Sequence, residues 1–153
     1  MKRAIIVYES VYGNTKKVAE AIAEGIQQAE GVECRVVKTG EIHTDEICDF
    51  DAILFGCPNH NQGPALNMTK FLERASIVHV KGKIGAIFDT YTGGNKGVAL
   101  KKLKSIVLEK FPGIEFQGDG FSAKVEGRKG PLADTAEELA RDFGKEIGRK
   151  LVE

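Results

Sequence analysis

Residues 8–26 read YESVYGNTKKVAEAIAEGI, and within them Ser10, Tyr12, Gly13, Asn14 and Thr15 crowd hydroxyls, an amide and a glycine into a loop that holds no cation. An apolar run, Ala4 to Tyr8, precedes the loop, and a helical pattern follows it. A helix that begins near Asn14 or Thr15 presents N–H groups without intrahelical acceptors, at the positive end of its dipole. Ser10 and Thr15 add hydroxyl donors, Asn14 adds an amide, and Gly13 lets the backbone approach an anion closely. Such a set makes a neutral cradle for a phosphate. The same residue types also cap helices, so the loop alone leaves a plain turn with Asn14 or Thr15 as N-cap open.

Other phosphate-handling motifs fail on specifics. A Walker loop requires G-x-x-x-x-G-K-[ST], and the position five before Gly13 is Tyr8. The dinucleotide fingerprint G-x-G-x-x-G is absent. A phosphoacceptor receiver domain needs an acidic pair after its first strand and an Asp ending its third. Here only Glu9 follows the first strand, and the third ends in Phe55-Gly56-Cys57.

The elements that must position this loop are legible as alternating runs. AIIVY (4–8), CRVVK (34–38), AILFG (52–56) and IGAIF (84–88) read as strands, with GFSAKV (120–125) a weaker fifth at an edge. Continuous apolar runs suit parallel strands covered on both faces. Between them the period changes: Val18, Ile22 and Ile26 with small Ala19 and Ala23; then Phe71, Leu72 and Ala75; then Val98, Ala99, Leu103, Ile106 and Val107. Asp134-Thr135-Ala136-Glu137 resembles a capping box ahead of a last helix carrying Leu139, Ala140, Phe143, Ile147 and Leu151. Strands alternating with helices imply a doubly wound α/β domain, a five-stranded parallel sheet of order 2-1-3-4-5 with helices on both faces. In that order the loops 9–15, 57–64 and 89–96 gather at the carboxyl edge, beside the switch point between strands 1 and 3.

The 153 residues fit one domain, residues 1–153. Lys plus Arg and Asp plus Glu both total 22, so no long-range attraction to nucleic acid or an anionic membrane is indicated. No stretch approaches the roughly 18 apolar residues of a membrane span. The N-terminal MKRAIIVYES reads as a buried strand and not as a signal peptide. Cys34, Cys48 and Cys57 form no CxxC, and an odd number argues against a disulfide framework. His43, His60 and His79 lack metal-ligand spacing. A reducing cytoplasm is the expected compartment.

Ser10-Val11-Tyr12-Gly13-Asn14-Thr15 resembles the flavodoxin phosphate loop, [TS]-x-[TSY]-G-N-T, and stands after strand 1 as that loop does. GCPNHNQGPALNMTKFLE (56–73) and AIFDTYTGGNKGVALKKL (86–103) resemble the family's second and third flavin loops, most nearly those in the flavodoxin domain of A-type flavoproteins. The resemblance spans nearly the whole chain, as a stand-alone domain. It implies noncovalent FMN, with phosphate in residues 10–15 and the isoalloxazine between Pro58, Asn59, His60, Asn61 and Gly63 on one side and Thr90, Tyr91, Thr92, Gly93 and Gly94 on the other. In the family a backbone carbonyl of the second loop turns toward the reduced flavin N5, a role expected here of Asn61, with Asn59 or Gly63 as substitutes. Tyr91 is the one aromatic in either ring loop and the expected stacking partner. His60 contacts the pyrimidine end or simply sits in solvent. Cys57 is expected to be a buried, inert thiol. Lys16 and Lys17 are expected to point to solvent, which leaves the phosphate without a compensating cation.

The implied function is electron transfer between redox partner proteins, by a monomer or weak homodimer. The alternative is an NAD(P)H-dependent quinone or small-molecule flavin reductase. The near-zero net charge favours that alternative slightly, and the short chain, with little room for a nicotinamide site, disfavours it. A module that keeps the fold without cofactor is the third reading, and the intact phosphate loop speaks against it.

Overall fold

The computed structural model describes residues 1–60 and 63–153. In chain order its elements are β1 (Lys2–Tyr8), α1 (Asn14–Ile26), β2 (Val32–Lys38), β3 (Ala52–His60), β4 (Gly63–Pro64), α2 (Leu66–Ala75), β5 (Ile84–Tyr91), α3 (Val98–Lys110), β6 (Glu115–Phe116), β7 (Phe121–Lys124) and α4 (Ala136–Leu151). Two short 3-10 turns, Thr39–Glu41 and Thr44–Asp49, carry the chain from β2 back to β3. The parallel sheet runs β2-β1-β3-β5, with β6 and β7 both alongside β5. This is the expected 2-1-3-4-5 order, with its fifth position split in two.

Both faces of the central strands are covered, and their side chains divide by alternation. Ile5, Val7, Ile53, Phe55 and Ile87 pack with Met68, Phe71 and Leu72 of α2 and Leu103 and Val107 of α3. Ala4, Ile6, Leu54, Ala86 and Phe88 pack with Val18, Ile22 and Ile26 of α1 and Ala140, Ile147 and Leu151 of α4. That division explains why the strands read as unbroken apolar runs.

The expected fifth strand, residues 120–125, is present as β7, and the short β6 precedes it; residues 117–120 separate the two, with Gly118 at φ +66° and Gly120 at φ +97°. A Cβ on Gly120 would stand 2.8 Å from the Ile87 carbonyl oxygen, so the chain crowds β5 there while breaking the ladder. The strands also outlast their apolar runs, so Pro58, Asn59, His60, Thr90 and Tyr91 are strand ends. Pro58 pairs in register with Thr90, and polar residues extend the ladder beyond the core. Finally, Asp134 forms no capping box: α4 starts after Thr135 (φ −95°, ψ −2°) with no side-chain cap. Glu41 and Glu46 do reach back in that manner, accepting from the Lys38 and His43 N–H groups at 2.7 and 2.9 Å.

α1 and α4 meet through their backbones. An added Cβ would stand 2.0 Å from the Arg141 carbonyl oxygen at Gly25, and 2.1 Å from that of Ile22 at Gly144. Gly144→Ala therefore opposes two effects. Alanine gains about 1 kcal/mol in helix propensity, while forcing the helices apart costs about 1–3 kcal/mol. The contact is far inside any real Cβ approach, so the steric effect wins, and urea unfolding should show a net loss of stability.

Asp89, near the end of β5, is wholly buried. Its Oδ2 accepts from the Leu100 N–H at 3.0 Å, and its Oδ1 accepts from the Ser122 hydroxyl. Burial pushes its carboxyl up to about 6, although both hydrogen bonds pull the other way. An acid whose folded pKa is raised is favoured in the fold when protonated, so its contribution is full below the unfolded value of 3.8 and is lost as pH rises toward 6. Asp89→Asn keeps the acceptor for Leu100, and Ser122 can turn to accept. Across that window the wild type should lose on the order of 2–3 kcal/mol relative to Asp89→Asn. Urea unfolding of both proteins from pH 4 to 7 measures the difference; parallel curves would refute it.

Candidate functional site

The three polar segments meet at the carboxyl edge of the sheet around a cleft of about 590 Å³. Ser10, Val11, Tyr12, Asn14 and Thr15 line it from the β1–α1 loop, Pro58 and Asn59 from β3, and Thr90, Tyr91 and Thr92 from the end of β5. Gly13 caps α1 in the left-handed region (φ +91°), its N–H donating to Ser10 Oγ at 3.1 Å. Neither Asn14 nor Thr15 is the N-cap, so the plain-cap alternative is not realised. The Lys17 N–H bonds to the Gly13 carbonyl at 3.1 Å, and the N–H groups of Asn14, Thr15 and Lys16 find no acceptor among the described residues. Those bare donors and the helix dipole fit an anion.

Thr15 is 2% exposed, and its hydroxyl lies 2.9 Å from that of Thr90, 4% exposed. One bond between two hydroxyls consumes a single hydrogen, so the pair ties the first loop to β5 and still holds one donor. Asn59 donates from Nδ2 to the Asn95 carbonyl at 3.4 Å, while its buried Oδ1 has no partner among the described residues. An orphaned acceptor in a cleft wall fits a ligand that offers an N–H or O–H. Tyr91 is half-buried, while Val11 and Tyr12 are 60% and 45% exposed at the rim.

His60 ends β3 opposite Gly63 in β4. Gly93 (φ +58°) and Gly94 form an exposed turn beyond Thr92 and do not line the cleft. Asn61 falls outside the described residues. Burial pushes the Cys57 thiol up to about 12, in keeping with an inert core residue. Lys16 and Lys17 are exposed, as expected.

One expectation is overturned: the cleft does have a cation. Arg128 lines it with Val125, from the chain that follows β7, and Lys129 Nζ sits 5.9 Å from the Tyr12 ring centroid. Sequence reading missed these residues because they are more than a hundred positions from the loop they adjoin. The pair of cations between glycines in EGRKG (126–130) was the available signal.

The Flavodoxin family model matches residues 6–111. Over 153 aligned residues the chain is 26% identical to the flavodoxin of Clostridium saccharobutylicum, with 95% of each covered. A flavodoxin from the domain Archaea superposes with a TM-score of 0.85 at 27% identity, over 99% of both chains. Rubredoxin oxygen:oxidoreductase from Desulfovibrio gigas shares the fold at a TM-score of 0.80 and 23% identity, over 98% of this chain and 36% of that one. Among the described residues no helix is long and apolar enough to cross a membrane. Matched across most of its length in both sequence and fold, the chain belongs to the flavodoxin family and is an FMN-binding electron-transfer protein.

Proposed function

We propose that the cleft is the FMN site, with the phosphate seated in residues 10–15 and the isoalloxazine between Pro58-Asn59 and Thr90-Tyr91-Thr92, and that the protein passes electrons between redox partner proteins. The convergence of a bare helix N-terminus and an aromatic-bearing strand end on one cleft carries this reading. The residues present fit the cofactor. Uncommitted N–H groups of Asn14, Thr15 and Lys16 suit a phosphate ester, and the orphaned Asn59 Oδ1 suits an N–H at the polar edge of the ring.

FMN, when bound, supplies reversible one- and two-electron chemistry. The chain's own residues bind, orient and shield. The α1 N-terminus and the free hydrogen of the Thr15–Thr90 pair hold the phosphate. Tyr91 offers a flat face for stacking, and Pro58 excludes water without presenting an N–H to compete. Asn59, held by Asn95, fixes the ring's rotation. The exposed apolar pair Val11 and Tyr12 gives a partner protein a surface to press against beside the cleft.

The carrier reading is favoured over the reductase reading because the clostridial flavodoxin is matched over 95% of both chains. Purified holoprotein should therefore oxidise NAD(P)H in the presence of a quinone no faster than free FMN does. Steady-state turnover well above that background would establish the reductase.

Two substitutions separate the ends of the site. Thr15→Ala should weaken FMN by about 1–3 kcal/mol through lost bonds to a charged group, and leave riboflavin, which lacks the phosphate, nearly unaffected. Tyr91→Ala should weaken both flavins alike and relieve fluorescence quenching, because it acts on the ring. Fluorescence titration measures both, and the opposite pattern would reverse the orientation of the cofactor.

A further inference from the structure

The chain after β7 forms a closed turn that is fastened to the other walls of the cleft. The Val125 N–H donates to the Tyr91 carbonyl at 2.8 Å, and Val125 pairs with Leu132 in an antiparallel bridge. The Glu126 N–H donates to the Pro131 carbonyl at 2.8 Å, and the Gly130 N–H to that of Gly127 at 3.0 Å. Gly130 adopts φ +114°, and a Cβ there would stand 2.9 Å from Asn14 Oδ1, so the turn abuts the first residue of α1. Only glycine meets both demands, of conformation and of space.

At the tip of this turn stand Arg128 and Lys129. Arg128 shares the cleft lining with Ser10, Tyr12, Asn14 and Thr15, and among the described residues no carboxylate pairs with it. Lys129 is held over the outer rim by the Tyr12 ring. A phosphate monoester carries a charge of about −1.5 to −2 near neutral pH. The N–H groups of α1 offer it hydrogen bonds but no full positive charge. A guanidinium offers both, as a planar fork that matches phosphate oxygens.

We propose that Arg128 is a phosphate-clamping residue for FMN, closing over the 10–15 loop from the β7–α4 turn, with Lys129 adding charge at the rim. The proposal rests on the assignment of the phosphate to residues 10–15. Because Arg128 is exposed, its contribution is screened by salt.

Fluorescence titration of the apoprotein with FMN and with riboflavin, at low and high salt, tests the clamp. Arg128→Ala should weaken FMN about 10-fold at low salt, and riboflavin by less than about twofold. The FMN difference should shrink at high salt, and Arg128→Lys should recover part of it. Lys129→Ala should act in the same sense, more weakly. Equal losses for both flavins would overturn the proposal, making Arg128 a support of the ring or of the fold. Unchanged affinity for both would overturn it too, and if electron transfer to a partner protein then slowed, Arg128 would be a docking cation. Wild-type protein that binds riboflavin as tightly as FMN would instead refute the phosphate-loop assignment, a different failure from that of the clamp.

Discussion

At three positions α1 and α4 meet backbone to backbone: Gly25 faces the Arg141 carbonyl, Gly144 that of Ile22, and Gly148 that of Ile26, all at separations too short for any Cβ. Close-packed interiors transmit displacement, and at these points no side chain separates the two backbones. α1 is thereby fixed through its C-terminal half against a helix from the other end of the chain. Its first turn, with the left-handed Gly13 and the bare N–H groups behind it, is aimed by that contact as much as by the strand before it. The electrostatic character of the cleft depends on this packing, which lies away from the site.

Around that fixed point, short polar links join each wall to the next. Thr15 bonds Thr90, Asn59 bonds the Asn95 carbonyl, and Val125 bonds the Tyr91 carbonyl. Each connects segments far apart in sequence, and each uses only part of the hydrogen-bonding capacity of the groups involved. The walls are thus positioned before a ligand arrives. Preorganisation of this kind lowers the ordering cost of binding.

The sequence revealed those parts of the structure whose physics is local. Burial on two faces leaves unbroken apolar runs, so the four long strands and their order were legible, and the residue types in the first loop pointed to an anion. Strand ends were not legible, because Pro58, Asn59 and Thr90 continue a ladder past the core, where no periodicity marks it. α4 starts without the side-chain cap that Asp134 and Glu137 suggested, because a residue type that can cap need not form the bond. Asp89 looked like the end of a run and proved to be a buried acceptor for α3 and β7. Arg128 was invisible for the plainest reason: its neighbours in space are brought to it only by the completed sheet.

The Oδ1 of Asn59, unpartnered among the described residues, bears on which molecules the proposed site would refuse. An acceptor buried without a donor is a standing penalty of about 1–3 kcal/mol. A ligand with a well-placed N–H cancels the penalty, and one of the same shape without it leaves the penalty in force. Sites of this sort reject the wrong compound far more strongly than a merely tight apolar pocket would. With the ring seated as proposed, selection at this wall would act by exclusion: a planar heterocycle presenting an acceptor or a bare C–H toward Asn59 would bind more weakly even where it fits.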